Sequence, residues 1–112
     1  MVKILLEKGV DVNIEDNENE TPLSQASAGG HQEVIDFLVK KGANINDKDG
    51  NSKALYNACS NGYDEIVEDL LKKKANPSSK GCLSIALALY QQNIFKKLVE
   101  FGANVNTVSF FY

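Results

Sequence analysis

Few residues of this chain are of types that do chemistry. There is one imidazole, His31, two thiols, Cys59 and Cys82, and a scatter of serines. A nucleophilic triad would have to use His31 as its base, with one of those thiols or a serine as nucleophile. Cys59, however, falls among small residues that read as packing positions. Cys82 opens a helical stretch, and a thiol in such places behaves as a small hydrophobe. Neither belongs to a CxxC pair, so the expectation is two reduced, structural thiols. A metal site needs several converging donors, and one histidine without a paired thiol cannot supply them. The sequence therefore predicts no enzyme, no catalytic residue, no metal and no cofactor.

The charge balance narrows the partners. The net charge of −3 gives no electrostatic reason to bind nucleic acid, which normally needs a basic face. All twelve basic residues are lysine, and the absence of arginine argues against bidentate phosphate recognition. No stretch approaches the run of about 18 apolar residues that a membrane span needs. Lys3, Glu7 and Lys8 surround a short apolar patch that does not read as a signal peptide. The expectations are no nucleic acid, no membrane, and a cytoplasmic or nuclear setting. At 112 residues the chain reads as a single domain able to bury roughly 65% of its unfolded surface.

The elements that would carry any site repeat. Leu23 to Ala43, Leu55 to Ala75 and Leu83 to Ala103 are each twenty residues apart. Around them stand TPLSQASAGGHQEVIDFLVKKGANIN (21–46), KALYNACSNGYDEIVEDLLKKKANPS (53–78) and GCLSIALALYQQNIFKKLVEFGANVN (81–106), preceded by the half copy VKILLEKGVDVN (2–13). Thr21 reads as a helix cap, Pro22 as a first helical residue, and Gly29-Gly30 as the break between two helices. Val34, Ile35, Leu38 and Val39 form a stripe at helical spacing, repeated at Ile66, Val67, Leu70 and Leu71 and at Ile94, Phe95, Leu98 and Val99. Gly9, Gly42 and Gly102 mark helix ends, and Lys74 stands where a glycine is expected.

These phrases, "TPL" opening a helix pair and "GA-N-N" closing it at a period of about 33, resemble the ankyrin repeat over almost the whole chain. The resemblance implies an all-α solenoid of stacked antiparallel helix pairs joined by β-hairpin-like finger loops. Its units are a half repeat at 2–19 and repeats at about 20–50, 51–80 and 81–112. From the alanine position to the next leucine there are 13, 12 and then only 8 residues. A short turn is therefore expected between the second and third repeats. Ala86 to Leu89 form a strong helix run and Tyr90 replaces the glycines at 30 and 62. The first helix of the third repeat is expected to run past its usual stop. His31 matches the Gly-His phrase of the family's turn, a structural role.

The resemblance also implies a function, a non-catalytic module that binds a protein partner on the recessed surface of fingers and first helices. The alternative is a structural or targeting segment of a larger protein, an enzyme or channel, whose activity lies outside these residues. The variable surface positions of the family fall on Glu15, Asn17, Glu18, Glu20, Ala28 and Gly29 in the first repeat. In the second they fall on Lys48, Asp49, Ser52, Ser60 and Asn61, and in the third on Lys80, Ala88 and Leu89. Tyr56 stands at the histidine of "TPLH" and is a candidate aromatic anchor. Asp11, Glu15, Asp16, Glu18 and Glu20, with no lysine among them, load the first finger with negative charge.

Asn13, Asn46 and Asn106 match the finger asparagine that oxygenases hydroxylate in some ankyrin proteins. A turn asparagine bonding its own backbone is the plainer reading. Lys72, Lys73 and Lys74 read as helix-end lysines complementing the backbone dipole, as Asp64 and Glu65 do at the helix start. Array ends usually carry a polar cap. Here both ends are apolar, with Val2, Ile4, Leu5 and Leu6 at one and Val108, Phe110, Phe111 and Tyr112 at the other. That pattern fits a piece of a longer array or self-association through exposed ends.

Overall fold

Thr21 caps the first helix as its sequence demands. The Ser24 N–H donates to Thr21 Oγ1 at 3.1 Å, and the Thr21 N–H donates to Ser24 Oγ at 2.8 Å. This reciprocal cap has serine at the third position, where glutamate is commoner. Pro22 follows at the first helical position. From this start α1 runs Pro22–Gly29 in a computed structural model that describes residues 11–107. The half repeat up to residue 10, the stop expected at Gly9 and the apolar run at 108–112 lie outside the described residues.

Gly30 ends α1 in left-handed geometry at φ 75, and the His31 N–H reaches back to the Ala26 carbonyl at 3.0 Å. A Cβ at Gly30 would also lie 3.1 Å from the Tyr63 ring of the next repeat, so glycine serves both the turn and the packing. The chain then reverses into α2, Gln32–Lys40. The pattern recurs as α3 (Lys53–Ser60) with α4 (Asp64–Lys72), and α5 (Cys82–Ala88) with α6 (Gln92–Glu100). A 3-10 turn at Val105–Thr107 closes the described chain.

Each first helix packs on its own second helix, and α1, α3 and α5 stack in succession, as α4 does with α6. The result is an elongated pile of three layers with extents of 46 × 25 × 20 Å. Its core is continuous because the same positions are buried in every layer. Leu23, Leu55 and Leu83 are at most 2% exposed, and Leu38, Leu70 and Leu98 are fully buried. Small side chains at Ala26, Ala58 and Ala86 let neighbouring first helices approach closely. No β-strand is present among the described residues. The first two fingers are hairpin-like only in being closed by two backbone bonds each, from the Asp16 and Asn19 N–H groups in one and from the Asp47 and Gly50 N–H groups in the other.

Two helix ends depart from the repeat pattern. The expected run of α5 past Tyr90 does not occur, since α5 stops at Ala88 and Tyr90 takes φ 56. The Gln91 N–H instead bonds the Ala86 carbonyl at 2.8 Å, the same reversal that Gly30 makes. Burial of Ile94 and Leu98 requires α6 to fold back at this point, and that packing outweighs the helix propensity of the Ala-Leu run. Lys74 likewise sits at φ 78, where Gly42 and Gly102 sit at 97 and 102.

A β-carbon in this region costs on the order of 1 kcal/mol relative to glycine. Lys74→Gly should therefore raise the melting temperature by about 4 °C or more. The exposed Tyr90→Gly should do the same. A thermal scan without a gain in either variant would mean that the left-handed turn is not strained.

Cross-layer ion pairs fix the register of the second helices. Lys73 Nζ lies 2.6 Å from Asp69 and 3.3 Å from Asp36 of the layer before, and Lys97 reaches Glu68 at 3.1 Å. Lys72 pairs with Glu68 at 3.3 Å. Burial tends to lower the pKa of Lys73, but the carboxylates of Asp69 and Asp36 outweigh it and hold the ammonium above its ordinary range. Lys72 and Lys73 are thus occupied within the array and do not form a free basic patch.

Candidate functional site

The fingers of the first two repeats are built alike, each around one aspartate. Asp16 Oδ1 accepts the N–H groups of Glu18 at 2.8 Å and Glu20 at 3.0 Å, while the Asp16 N–H donates to the Glu20 carbonyl at 3.0 Å. Asp47 Oδ1 accepts those of Asp49 at 2.8 Å and Asn51 at 3.0 Å, and the Asp47 N–H donates to the Asn51 carbonyl at 2.7 Å. The left-handed residue of each tip is Asn19 or Gly50. The backbone N–H groups of Glu20 and Glu18 hold the Asp16 carboxyl below its usual range. Sequence reasoning counted Asp16 as one acid in a run and missed this role. The shared register of Asp16-x-Glu18-x-Glu20 and Asp47-x-Asp49-x-Asn51 was the available signal.

Pinning the tips turns Glu15, Asn17 and Glu18 outward from the first finger and Lys48 and Asp49 from the second, all of them exposed. Lys80 is exposed in the third, where its N–H donates to Asn51 Oδ1 at 2.9 Å. That third finger is the short turn expected from its length. The Ser79 N–H bonds the Asn76 carbonyl at 3.0 Å and the Cys82 N–H bonds the Ser79 carbonyl at 3.1 Å. On the first helices, Asn61 and Leu89 are exposed, Ser60 and Ala28 are half-buried, and Gly29 and Ala88 are exposed.

Three of the expected surface residues are engaged inside the array. Ser52 is buried at 1% exposure. Its Oγ caps α3 by accepting the Leu55 N–H at 3.1 Å, and its own N–H donates to Ser79 Oγ at 2.7 Å. A residue one position before a helix has its hydroxyl turned onto the backbone, and this corrects its expected place on an open surface. Tyr56 is half-buried with its ring against Gly81, where an added Cβ would sit 3.0 Å from the ring.

Glu20 ties the first finger to the second repeat. It accepts from Ser24 Oγ at 2.7 Å and Asn57 Nδ2 at 3.1 Å and pairs with Lys53 at 3.1 Å. Burial alone would raise the pKa of Glu20, but the hydrogen bonds from Ser24, Lys53 and Asn57 outweigh it and leave the carboxyl below its ordinary range.

The side chains of Asn13 and Asn46 bond across layers and not to their own turns. Asn13 Oδ1 accepts the Asn44 N–H at 2.8 Å, and Asn46 Oδ1 accepts the Asn76 N–H at 2.8 Å while its Nδ2 donates to the Lys74 carbonyl at 3.0 Å. Ser78, at the same place in the second repeat, accepts the Asn104 N–H at 2.8 Å. Asn106 is exposed, and its N–H donates to Asn104 Oδ1 at 2.9 Å.

His31 precedes α2 without capping it through its side chain, and its ring lies beside Gly29, where an added Cβ would be 2.7 Å away. Cys59 and Cys82 are free, buried thiols on α3 and α5. A hydrogen bond with Cys82, together with burial, pushes the Cys59 thiol up, away from the reactive thiolate. Among the described residues no helix is long and apolar enough to cross a membrane.

Two family models match this chain, one described as ankyrin repeats (3 copies), which matches residues 1–49, and one described as ankyrin repeat, which matches residues 54–82. Protein fem-1 homolog C of Xenopus laevis is 38% identical over 50 residues, 45% of this chain and 8% of that protein. Ankyrin repeat and KH domain-containing protein mask of Drosophila melanogaster is 38% identical over 47 residues, 41% of this chain and 1% of its own length. Alpha-latrocrustotoxin-Lt1a of Latrodectus tredecimguttatus is 40% identical over 57 residues, 49% of this chain and 4% of the toxin. The chain thus spans less than a tenth of each of these relatives. With the two family models together matching more than half of its residues, and three helix-pair layers stacked in register, the chain belongs to the ankyrin-repeat family.

Proposed function

We propose that this chain is a non-catalytic protein-interaction module that holds its partner against the finger tips and the adjoining ends of the first helices. The observation that carries this reading is the matched pair of pinned fingers. Asp16 and Asp47 spend their carboxylates on the backbone, so the exposed Glu15, Asn17, Glu18, Lys48 and Asp49 are presented on ordered loops. Pre-ordered loops lose less entropy on binding than free ones, and loops on a rigid scaffold are where recognition usually resides. Asn61, Ser60, Lys80 and Leu89 would extend the surface along the layers, with Tyr56 and Glu20 offering only their exposed edges.

The partner is proposed to be a protein, met in a cytoplasmic or nuclear setting that suits two thiols in packing positions. The module is proposed to act as one domain of a half repeat and three repeats. Hydroxylation at Asn13, Asn46 or Asn106 belongs to the same proposal, with a 16-dalton increase in intact mass of native protein as its sign.

The test is affinity capture from native extract with the wild-type chain and with the double variant Glu15→Lys, Glu18→Lys. Reversing two exposed charges should weaken capture of the partner and flatten its salt dependence while the thermal melt is unchanged. Equal capture by both chains would move the site away from the first finger.

One observation favours a second reading. The matched relatives are far longer than this stretch, which spans 8% or less of each. In that case the repeats serve as a structural or targeting segment of a larger protein whose activity lies elsewhere.

A further inference from the structure

The two pinned fingers are alike inside and differ in how each is tied to the next repeat. The second is tied by neutral groups. Asn76 Nδ2 donates to the Gly50 carbonyl at 2.6 Å, the Ser52 N–H to Ser79 Oγ at 2.7 Å, and the Lys80 N–H to Asn51 Oδ1 at 2.9 Å. The tip of the first finger, residues 17–19, has a single bond to the second repeat among the described residues. Lys53 Nζ donates to the Glu18 carbonyl at 2.7 Å and also pairs with the Glu20 carboxylate at 3.1 Å. One cation thus holds both the tip and the stem of the preceding loop.

Helix stability does not account for a lysine at this place. Lys53 is the first residue of α3, where a positive charge opposes the helix dipole. Thr21 and Gly81 stand at the same distance before the repeat leucine in the other layers. Side chains on a helix lean toward its N-terminus, so the position aims the lysine back at the finger before it. Asp16 fixes the shape of that finger through bonds within the loop, and such bonds do not fix where the loop stands on the array.

We propose that Lys53 is a positioning residue of the partner-binding surface, an electrostatic latch that sets the first finger, with Glu15 and Glu18, in its place against the second repeat. This role presupposes that the partner meets the first finger. The Lys53 and Glu20 side chains are 42% and 22% exposed, so the latch is open to water and to screening. The first finger therefore answers to the charge at position 53 and to salt, while the second, held by neutral bonds, answers to neither.

The test compares Lys53→Met, of similar length but uncharged, with Lys53→Arg, which can donate to both oxygens. Lys53 is exposed, so both variants should keep the wild-type circular dichroism. In Lys53→Met the nitrogen-15 order parameters of residues 17–19 should fall from about 0.85 to below about 0.6, while those of 48–50 stay. High salt should bring part of the same fall in the wild-type chain. Burial pushes the Glu20 carboxyl up and Ser24, Lys53 and Asn57 hold it down, so in Lys53→Met it should titrate at a higher pH. Asp16, held first by the backbone N–H groups of Glu20 and Glu18, should move little. Capture of the partner from native extract should drop about fivefold with Lys53→Met. Lys53→Arg should match the wild type in every reading.

Order parameters that stay unchanged in Lys53→Met, or that fall equally in both fingers, would overturn the latch. So would full capture by Lys53→Met where Glu15→Lys with Glu18→Lys loses it, a result that leaves the interaction surface standing. Equal capture by that double variant would overturn the surface itself, and with it the part assigned to Lys53.

Discussion

Leu55→Ala is expected to lower the unfolding free energy by about 3 kcal/mol and to weaken all three layers together. Leu55 is fully buried on α3, the helix that packs on α1, on α4 and on α5. In a linear array each layer is held by its own packing plus one interface per neighbour. A cavity in the middle layer therefore damages two interfaces, and neither outer layer has another partner among the described residues. Leu98 is equally buried but lies in the last layer.

For Leu98→Ala the transfer and cavity terms are of the same kind, yet only one interface is involved. Its expected signature is local, with faster amide exchange in α5 and α6 and protection kept in α1 and α2. Urea titration and hydrogen exchange on the two variants check this. Equal loss of protection throughout the chain in both would mean that the array behaves as a single cooperative unit.

The layers were legible in the sequence because helix starts, stops and apolar stripes repeat at fixed spacing, and each signal is local. Lys74 and the short third finger belong to this class, since a side chain at a glycine position and a missing length of chain can be read directly. Tyr90 was misread for the same reason. Local propensity favours continuing α5, and the reversal is imposed by burial of Ile94 and Leu98 on α6.

What the sequence hid were bonds that cross between layers. Ser52 reads as a finger residue until its N–H is seen to donate to Ser79 Oγ, twenty-seven positions on. Glu20 reads as one acid of five, but its carboxylate is shared among Ser24, Asn57 and Lys53. Cys59 and Cys82 show no motif, and their meeting depends on how α3 lies against α5. Residue type and spacing give the layer, and which polar groups end up between layers depends on stacking geometry that no single repeat contains.

The finger asparagines show the consequence most clearly, and Asn46→Ala is expected to cost about 2 kcal/mol. Asn46 accepts from the Asn76 N–H and donates to the Lys74 carbonyl, so one side chain serves both polar groups of the next layer's bend. Alanine removes both bonds and leaves a part-buried N–H without its acceptor, which is the expensive half of losing a hydrogen bond.

Asn46→Asp separates the two contributions. It keeps an oxygen toward Asn76 but places a carboxylate against the Lys74 carbonyl, so it should fall between wild type and alanine near pH 3 and move toward alanine once ionised. Ser78 offers only the acceptor, to the Asn104 N–H. Ser78→Ala should accordingly cost about half as much, near 1 kcal/mol. Equilibrium denaturation of the three variants measures the set. If Asn46→Ala proves as mild as Ser78→Ala, the bond to the Lys74 carbonyl contributes nothing, and the bond from the Asn76 N–H carries the whole effect of the side chain.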